Sequence, residues 1–152
     1  MKTELSQGNE GTVIKISGPI DEDAVFPAAS GAKVTLDLQG VTLINSCGIR
    51  EWMNWLKHLD KNSKIELRHC PKVIVDQINN VDGFLPKGGA VESFLVPYYC
   101  ENCGILSSKQ YLTADVVKKG ASAIDKTYAC DKCKAQVEMD VIPSKYFLFL
   151  SA

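Results

Sequence analysis

The chain has 152 residues, of which 45% are hydrophobic and 23% are charged, and its formal net charge is −1. These values are typical of a globular protein with one ordinary core and a small appendage. No apolar run approaches the roughly 20 residues that a membrane-spanning helix needs. Residues 1–10 contain no apolar signal segment, so we expect a cytoplasmic protein whose cysteines stay reduced.

Positive charge is not concentrated in either part of the chain. Residues 1–96 carry 10 Lys and Arg against 12 Asp and Glu, and residues 97–152 carry 7 against 6. Proteins that bind a phosphate backbone usually present a basic patch. The charge pattern therefore argues against nucleic-acid binding as the main activity.

The first third of the chain begins with strand patterns. Residues 12–17 alternate between polar and apolar side chains, as a half-buried strand does. The acidic residues at the start of 21–29 predict a short helix, which Pro27 limits to about two turns. Residues 33–38 predict a second strand, and residues 41–44 continue it toward the core.

Asn45 begins the clearest predicted helix. Asn is a good N-cap residue, and apolar side chains then recur at helical spacing as far as Leu59. Trp52 and Trp55 widen this apolar stripe, and such stripes more often belong to a core than to a binding site.

Strands and helices continue to alternate after this helix. Residues 64–69 predict a strand, Pro71 is well placed in the first turn of another helix, and residues 84–90 form a loop rich in Gly and Pro. Residues 91–99 predict a strand that runs into Cys100. This order predicts an α/β fold, with helices packed on a sheet.

Two Cys-x-x-Cys pairs, Cys100/Cys103 and Cys130/Cys133, are separated by 26 residues. At this spacing a tight turn can direct both thiolates to one point, and two facing turns make the tetrahedral Cys₄ site of structural Zn²⁺. A closed shell of four thiolates leaves no position for water or substrate. The pattern therefore predicts a zinc ribbon in which the metal stabilises the fold and does not catalyse.

Two other uses of these cysteines compete with zinc. Disulfides are disfavoured in a reducing compartment. Iron in a rubredoxin-like site also takes four thiolates in paired turns, and it remains the second choice of metal.

The rest of the last third has weaker patterns. Residues 111–119 predict a short helix, and residues 125–129 lead back to the second cysteine pair. Residues 137–142 and 146–150 predict two closing strands.

Residues 33–59 read KVTLDLQGVTLINSCGIREWMNWLKHL and carry a family motif. They resemble the STAS domain of anti-sigma factor antagonists and sulphate-transporter tails. In that family a buried strand with an acid precedes a strand-to-helix turn of the form Asp-Ser-[Ser/Thr]-Gly-[Leu/Ile]. Here Asp37 takes the position of the strand acid, and residues 45–49 take the turn. Flanking matches lie at residues 16–21, 70–73 and 80–84.

The resemblance implies a STAS-like mixed sheet over residues 1–96, followed by a zinc-ribbon domain over residues 97–152. It also implies a regulatory module that binds a protein partner, either an anti-sigma factor or a related ATP-binding serine kinase. The expected contact surface includes Asn45, Ser46, Cys47 and Gly48, together with the segment that starts at Asp21.

The turn departs from the family pattern at two positions. Cys47 stands where the family has its phosphorylated hydroxyl, and Asn45 stands where the family has Asp. A helix N-terminus attracts phosphate and lowers the pKa of a nearby thiol. Ser46 is therefore either a phosphorylation site or a plain turn residue, and Cys47 is either a reactive thiol or a small packed side chain.

Two further functions compete with the regulatory module. A structural or assembly subunit could bind a larger complex through the zinc ribbon and the aromatic tail of Tyr146, Phe147 and Phe149. A thiol oxidoreductase would need free thiols of low pKa, whereas the paired spacing predicts metal-saturated ones. We therefore expect a protein that is not an enzyme.

Overall fold

The computed structural model describes residues 1–151. The first of its two sheets is mixed. Five strands lie in the order β1-β2-β3-β4-β5; β1 runs antiparallel to β2, and every other neighbouring pair is parallel. Helix α1 connects β3 to β4, and α2 connects β4 to β5. This arrangement confirms the α/β class. The elements are β1 Lys2–Gly8, β2 Gly11–Ile20, β3 Lys33–Ile44, α1 Ser46–His58, β4 Lys64–Arg68, α2 Lys72–Asn80 and β5 Ala90–Val91.

One face of this sheet forms the main core. The strand register places Ile14, Leu36 and Leu67 side by side, and all three are fully buried. Trp52 of α1 is also fully buried, and its Nε1 donates a hydrogen bond to the carbonyl of Phe84 at 3.0 Å. The expectation that Trp52 belongs to the core is confirmed.

The helix predicted at residues 21–29 is wrong. The chain makes a single turn, in which the Ala24 N–H donates to the Asp21 carbonyl at 3.1 Å, and then continues without regular structure. Pro27 disfavours a helical backbone at Phe26. The ring of Phe26 instead stacks on Trp55 with centroids 4.6 Å apart, and Trp55 Nε1 donates to the Pro27 carbonyl at 2.8 Å.

The second sheet is antiparallel, with strands in the order β7-β6-β9-β8. The predicted strand at 91–99 is interrupted at Glu92, where the chain leaves the first sheet for the second. The elements are β6 Ser93–Tyr99, β7 Leu106–Leu112, α3 Thr113–Lys119, β8 Thr127–Ala129, β9 Gln136–Met139 and α4 Pro143–Tyr146, with 3₁₀ helices at Gly120–Ala123 and Leu148–Ser151. None of the helices in residues 1–151 is long and apolar enough to cross a membrane.

The strand predicted at residues 146–150 is also wrong. Pro143 starts helix α4, and a 3₁₀ helix follows it. Phe147 and Phe149 both pack edge-on against Phe94 of β6, while the Tyr146 hydroxyl donates to the Leu95 carbonyl at 2.6 Å. In a strand, successive side chains point to opposite faces, so Tyr146 and Phe147 could not both face β6. A helical tail allows all three rings to contact the same strand.

The two sheets meet at Cys70. Its N–H donates to the Ser93 carbonyl at 3.0 Å, and its carbonyl accepts from the Leu95 N–H at 2.9 Å, which makes a parallel bridge between Cys70 and Phe94. Cys70, Ser93 and Phe94 are fully buried. The second sheet therefore packs directly against the end of β4.

Candidate metal centre and the turn before helix α1

Four cysteines of the second sheet come together at one point. The Sγ atoms of Cys100, Cys103, Cys130 and Cys133 all lie within 4.8 Å of one another. Cys100 and Cys133 are 3.5 Å apart, and Cys103 and Cys130 are 3.7 Å apart. Four sulfurs placed about 2.3 Å from one tetrahedral ion are separated by about 3.8 Å. The residues therefore form a candidate metal site, and their donor set and spacing fit a tetrahedral ion.

The two cysteine turns have the same backbone geometry. In the first, the Gly104 N–H donates to the Cys100 carbonyl at 2.8 Å; in the second, the Lys134 N–H donates to the Cys130 carbonyl at 2.9 Å. The residue after each pair has a positive φ, +69° at Gly104 and +63° at Lys134. Lys134 thus adopts the left-handed conformation that glycine adopts more easily.

The site joins both hairpins of the second sheet. Cys100 follows β6 and Cys103 precedes β7, while Cys130 follows β8 and Cys133 precedes β9. A metal held by these four side chains would fix the ends of all four strands. Cys100 and Cys130 are buried, and the other two are half-buried.

Hydrogen bonds prepare two of the sulfurs to act as thiolates. The backbone N–H groups of Cys133 and Lys132 lower the pKa of Cys130, and the Asn102 side chain and the Ala135 N–H lower the pKa of Cys133 to about 6. Desolvation and hydrogen bonds with neighbouring sulfurs raise the pKa of Cys103 to about 12. Four adjacent thiolates therefore need a shared cation.

Aromatic rings form part of the core of the second sheet. Tyr98 is fully buried, and its hydroxyl lies 2.8 Å from the Tyr111 hydroxyl and donates to the Asp125 carbonyl at 2.5 Å. Tyr146 in the tail is also buried, whereas Tyr99 is 39% exposed. Tyr146, which was expected to contribute to an assembly surface, therefore belongs to the core, as Tyr98 does.

The predicted turn before α1 is a helix N-cap. Asn45 has an extended backbone, and its Oδ1 accepts a hydrogen bond from the Gly48 N–H at 2.8 Å. Asn45 Nδ2 also donates to Glu22 Oε2 at 3.0 Å. This second bond holds the segment that begins at Asp21 beside the start of α1, so the two parts of the expected contact surface are neighbours.

Gly48 allows close packing at this turn. A Cβ atom added at Gly48 would lie 2.1 Å from the carbonyl oxygen of Ile20, at the end of β2. No side chain fits there unless the helix moves. Close packing therefore explains why glycine stands at this position, without any reference to a partner protein.

The two candidate regulatory residues differ in accessibility. The Ser46 side chain is exposed, and Cys47 is half-buried, outside the four-sulfur cluster. Cys70, the remaining cysteine, is fully buried, and this burial raises its pKa. Of Ser46, Cys47 and Cys70, Ser46 is the one whose side chain is exposed.

The sequence did not predict the contact between Asp37 and His69. Asp37 Oδ1 lies 3.0 Å from His69 Nδ1, and Asp37 Oδ2 lies 3.4 Å from Arg68 Nη2. The sequence identified Asp37 only as the strand acid of the motif, and residue 69 only as the end of the strand predicted at residues 64–69. Their separation by 32 positions gave no local signal of a pair.

Comparison of the chain with protein-family models, with curated proteins and with solved structures finds no match. Its own residues are therefore the basis on which a function can be assigned.

Proposed function

We propose that this chain is a non-catalytic regulatory module that binds another protein and carries one structural Zn²⁺. The convergence of the four cysteine sulfurs within 4.8 Å carries the metal part of the proposal. The resemblance of residues 33–59 to STAS domains carries the regulatory part. By that resemblance the partner is an anti-sigma factor or a related serine kinase.

Zinc is the metal that suits this site best. Structural zinc takes four Cys ligands in a tetrahedral shell, and the binding free energy then contributes to folding. Iron would fit the same sulfurs. Elemental analysis, together with the absence of visible charge-transfer absorption, would distinguish zinc from iron.

The proposed partner surface is acidic with an apolar residue beside it. Asp21, Glu22 and Asp23 lie next to the start of α1, and Val25 is 80% exposed. The backbone N–H of Glu22 and the Asn45 side chain lower the pKa of Glu22, so this carboxylate stays charged at neutral pH. A partner with a basic surface that surrounds a small apolar contact would be complementary.

Ser46 lies within this surface and offers an exposed hydroxyl. A phosphate there would add a charge of about −2 to a patch that is already acidic, and would change the fit of any partner. Cys47 cannot be the phosphate acceptor of a Ser/Thr kinase. If the module is switched by phosphorylation, Ser46 is therefore the residue that we propose is modified.

A pull-down with a matched control tests the partner surface. The full chain should capture an ATP-binding serine kinase or an anti-sigma factor, identified by mass spectrometry. The double variant Asp23→Lys, Val25→Glu should lose this capture. Val117→Glu changes a side chain that is 67% exposed on α3 and should retain it. Capture of no such protein, or equal capture by both variants, would contradict the proposal.

An assembly role is the second candidate, and an exposed apolar face favours it. Leu106 is 67% exposed and Tyr99 is 39% exposed, and the two are paired across β7 and β6. Deletion of residues 146–152 tests whether the aromatic tail, and not this exposed face, makes the assembly contact. Because Tyr146 is buried, we expect this deletion to give insoluble protein and not a soluble chain that fails to assemble.

A further inference from the structure

Strand β7 has a free edge from Leu106 to Tyr111. It pairs with β6 over all seven residues, from Ser93 with Leu112 to Tyr99 with Leu106, and it is the outermost strand of the sheet. Within residues 1–151, no strand other than β6 pairs with residues 106–112, and at the end of β7 the Leu112 carbonyl, as the N-cap of α3, accepts the first bond of that helix. Its outer N–H and C=O groups can therefore accept another strand.

This edge has only one of the devices that usually prevent strand pairing. Proteins protect edge strands with proline, bulges, short length or charged side chains. Residues 106–112 read LSSKQYL, with no proline, a regular register and one charge, at Lys109. The other seven-residue edge strand, β1, carries both Lys2 and Glu4 and has Leu5 as its one large apolar side chain.

The sequence of β7 is complementary to itself. If two copies pair antiparallel about Lys109, all seven residues are matched, and Leu106 of each copy faces Leu112 of the other. These leucines are 67% and 45% exposed. Cross-strand apolar pairs stabilise a sheet, and the symmetric register forms this pair twice. Ser108 would face Gln110 of the second copy, so the neighbouring pairs are polar and uncharged.

The central lysine does not oppose this pairing. Its Nζ lies 3.0 Å from Asp125 Oδ2 and 3.9 Å above the centroid of the Tyr128 ring. Each Lys109 is therefore neutralised within its own copy and held on the face opposite to Leu106 and Leu112.

We infer that two copies of this chain associate through antiparallel pairing of their β7 strands, centred on Lys109, to form a continuous eight-stranded sheet. The interface is independent of the proposed regulatory surface, which lies on the first sheet near α1. It contains little more than one strand from each copy, so we expect a reversible dimer with a dissociation constant in the micromolar range or weaker.

Sedimentation velocity on the full chain measures whether dimers form. Variants that introduce a charge at Leu106, at Leu112 or at both test the proposed pairing of the two strands. Leu106→Lys or Leu112→Glu alone should weaken dimerisation by about tenfold or more, because each places a charge opposite a leucine. The double variant should recover it, because the introduced lysine of one copy would then face the introduced glutamate of the other. Leu43→Lys, at a residue 52% exposed on β3, is the control and should dimerise like the wild type.

Hydrogen exchange gives a second readout that does not depend on variants. Outer amides of residues 106–112 should become protected as the concentration rises into the range of the dimer, while amides of β1 should not change. A wild-type chain that stays monomeric at the highest concentration overturns the inference. So does a dimer that survives both single substitutions, or a double variant that fails to recover.

Discussion

Asp37 Oδ1 and His69 Nδ1 lie 3.0 Å apart and connect the middle of β3 to the residue that precedes the junction of the two sheets. His69 has φ +52°, a conformation uncommon for residues other than glycine. Its backbone N–H donates to the buried Ser93 Oγ at 2.8 Å. One bond from the side chain and one from the backbone therefore hold His69 in place where the second sheet begins.

The charge of Asp37 is part of this arrangement. Burial alone would raise the pKa of Asp37, but hydrogen bonds from His69 and the Gln39 N–H, together with the nearby positive charge of Arg68, lower it overall. A carboxylate accepts and does not donate, so His69 Nδ1 carries a proton toward it. Asp37 thus fixes both the orientation and the tautomer of His69.

We expect Asp37→Asn to lower the free energy of unfolding by about 1–3 kcal/mol, because it removes a charged acceptor that is largely buried. Urea unfolding at neutral pH would measure this loss. Lys15→Gln removes an exposed charge from the neighbouring position on β2 and should change stability little. Equal stability of the Asn variant and the wild type would show that the pair contributes nothing.

The stability difference between wild type and Asp37→Asn should depend on pH. Because the folded protein lowers the pKa of Asp37, its contribution is complete above the unfolded value of about 3.9 and is lost as the pH falls through the lower folded value. Protonation of the thiolates destabilises both proteins alike in acid. The difference should therefore shrink below about pH 4, and a constant difference from neutral pH into this range would contradict the assignment.

Gly48→Ala should destabilise the protein by about 2–3 kcal/mol, because the new methyl group would overlap the Ile20 carbonyl and force α1 to move. Gly8→Ala is the matched control. There the nearest atom to an added Cβ is 3.7 Å away, an ordinary contact. Thermal unfolding of both variants would make the comparison, and similar losses at the two positions would exclude the close-packing explanation.

Removing the glycine of the first cysteine turn and introducing one in the second should have opposite effects on stability. Gly104→Ala places a side chain at φ +69° and should cost about 1 kcal/mol, whereas Lys134→Gly relieves φ +63° and should stabilise by up to about 1 kcal/mol. Chemical unfolding of the metal-bound protein would measure both changes. A destabilised Lys134→Gly variant would mean that the lysine side chain, and not the backbone, determines this turn.

Cys130→Ser should reduce the bound metal from one ion per chain to nearly none and unfold the second sheet, because the remaining three thiolates leave the tetrahedral shell open. Cys47→Ser should keep the full metal content, since Cys47 lies outside the cluster. Elemental analysis with near-ultraviolet circular dichroism would measure metal and fold together. Full metal retention by Cys130→Ser would remove that cysteine from the ligand set.

The sequence predicted the elements whose apolar side chains follow a regular period. Strand β3 and helix α1 were predicted because their apolar residues recur with the period of a strand and of a helix. Strand β7 was missed because its seven residues are exposed or half-buried and leave no buried stripe in the pattern. Strand β1 was also missed, because its residues are likewise exposed or half-buried.

The sequence predicted sites only where a motif is local. Cys103 follows Cys100 by three positions, and Gly48 follows Asn45 by three. In each case this spacing alone indicates a shared turn. Segment 21–29 was wrongly predicted as a helix, because its conformation depends on the stacking of Phe26 on a ring far along the chain.

The metal content and thiol count of the native chain test the central claim most directly. The four converging sulfurs predict one zinc ion per chain. Of the six cysteines, only the half-buried Cys47 should react readily with a thiol reagent before unfolding, because Cys70 is buried and the others hold the metal. Four additional thiols that react in the native state, two disulfides, or iron in place of zinc would contradict the account.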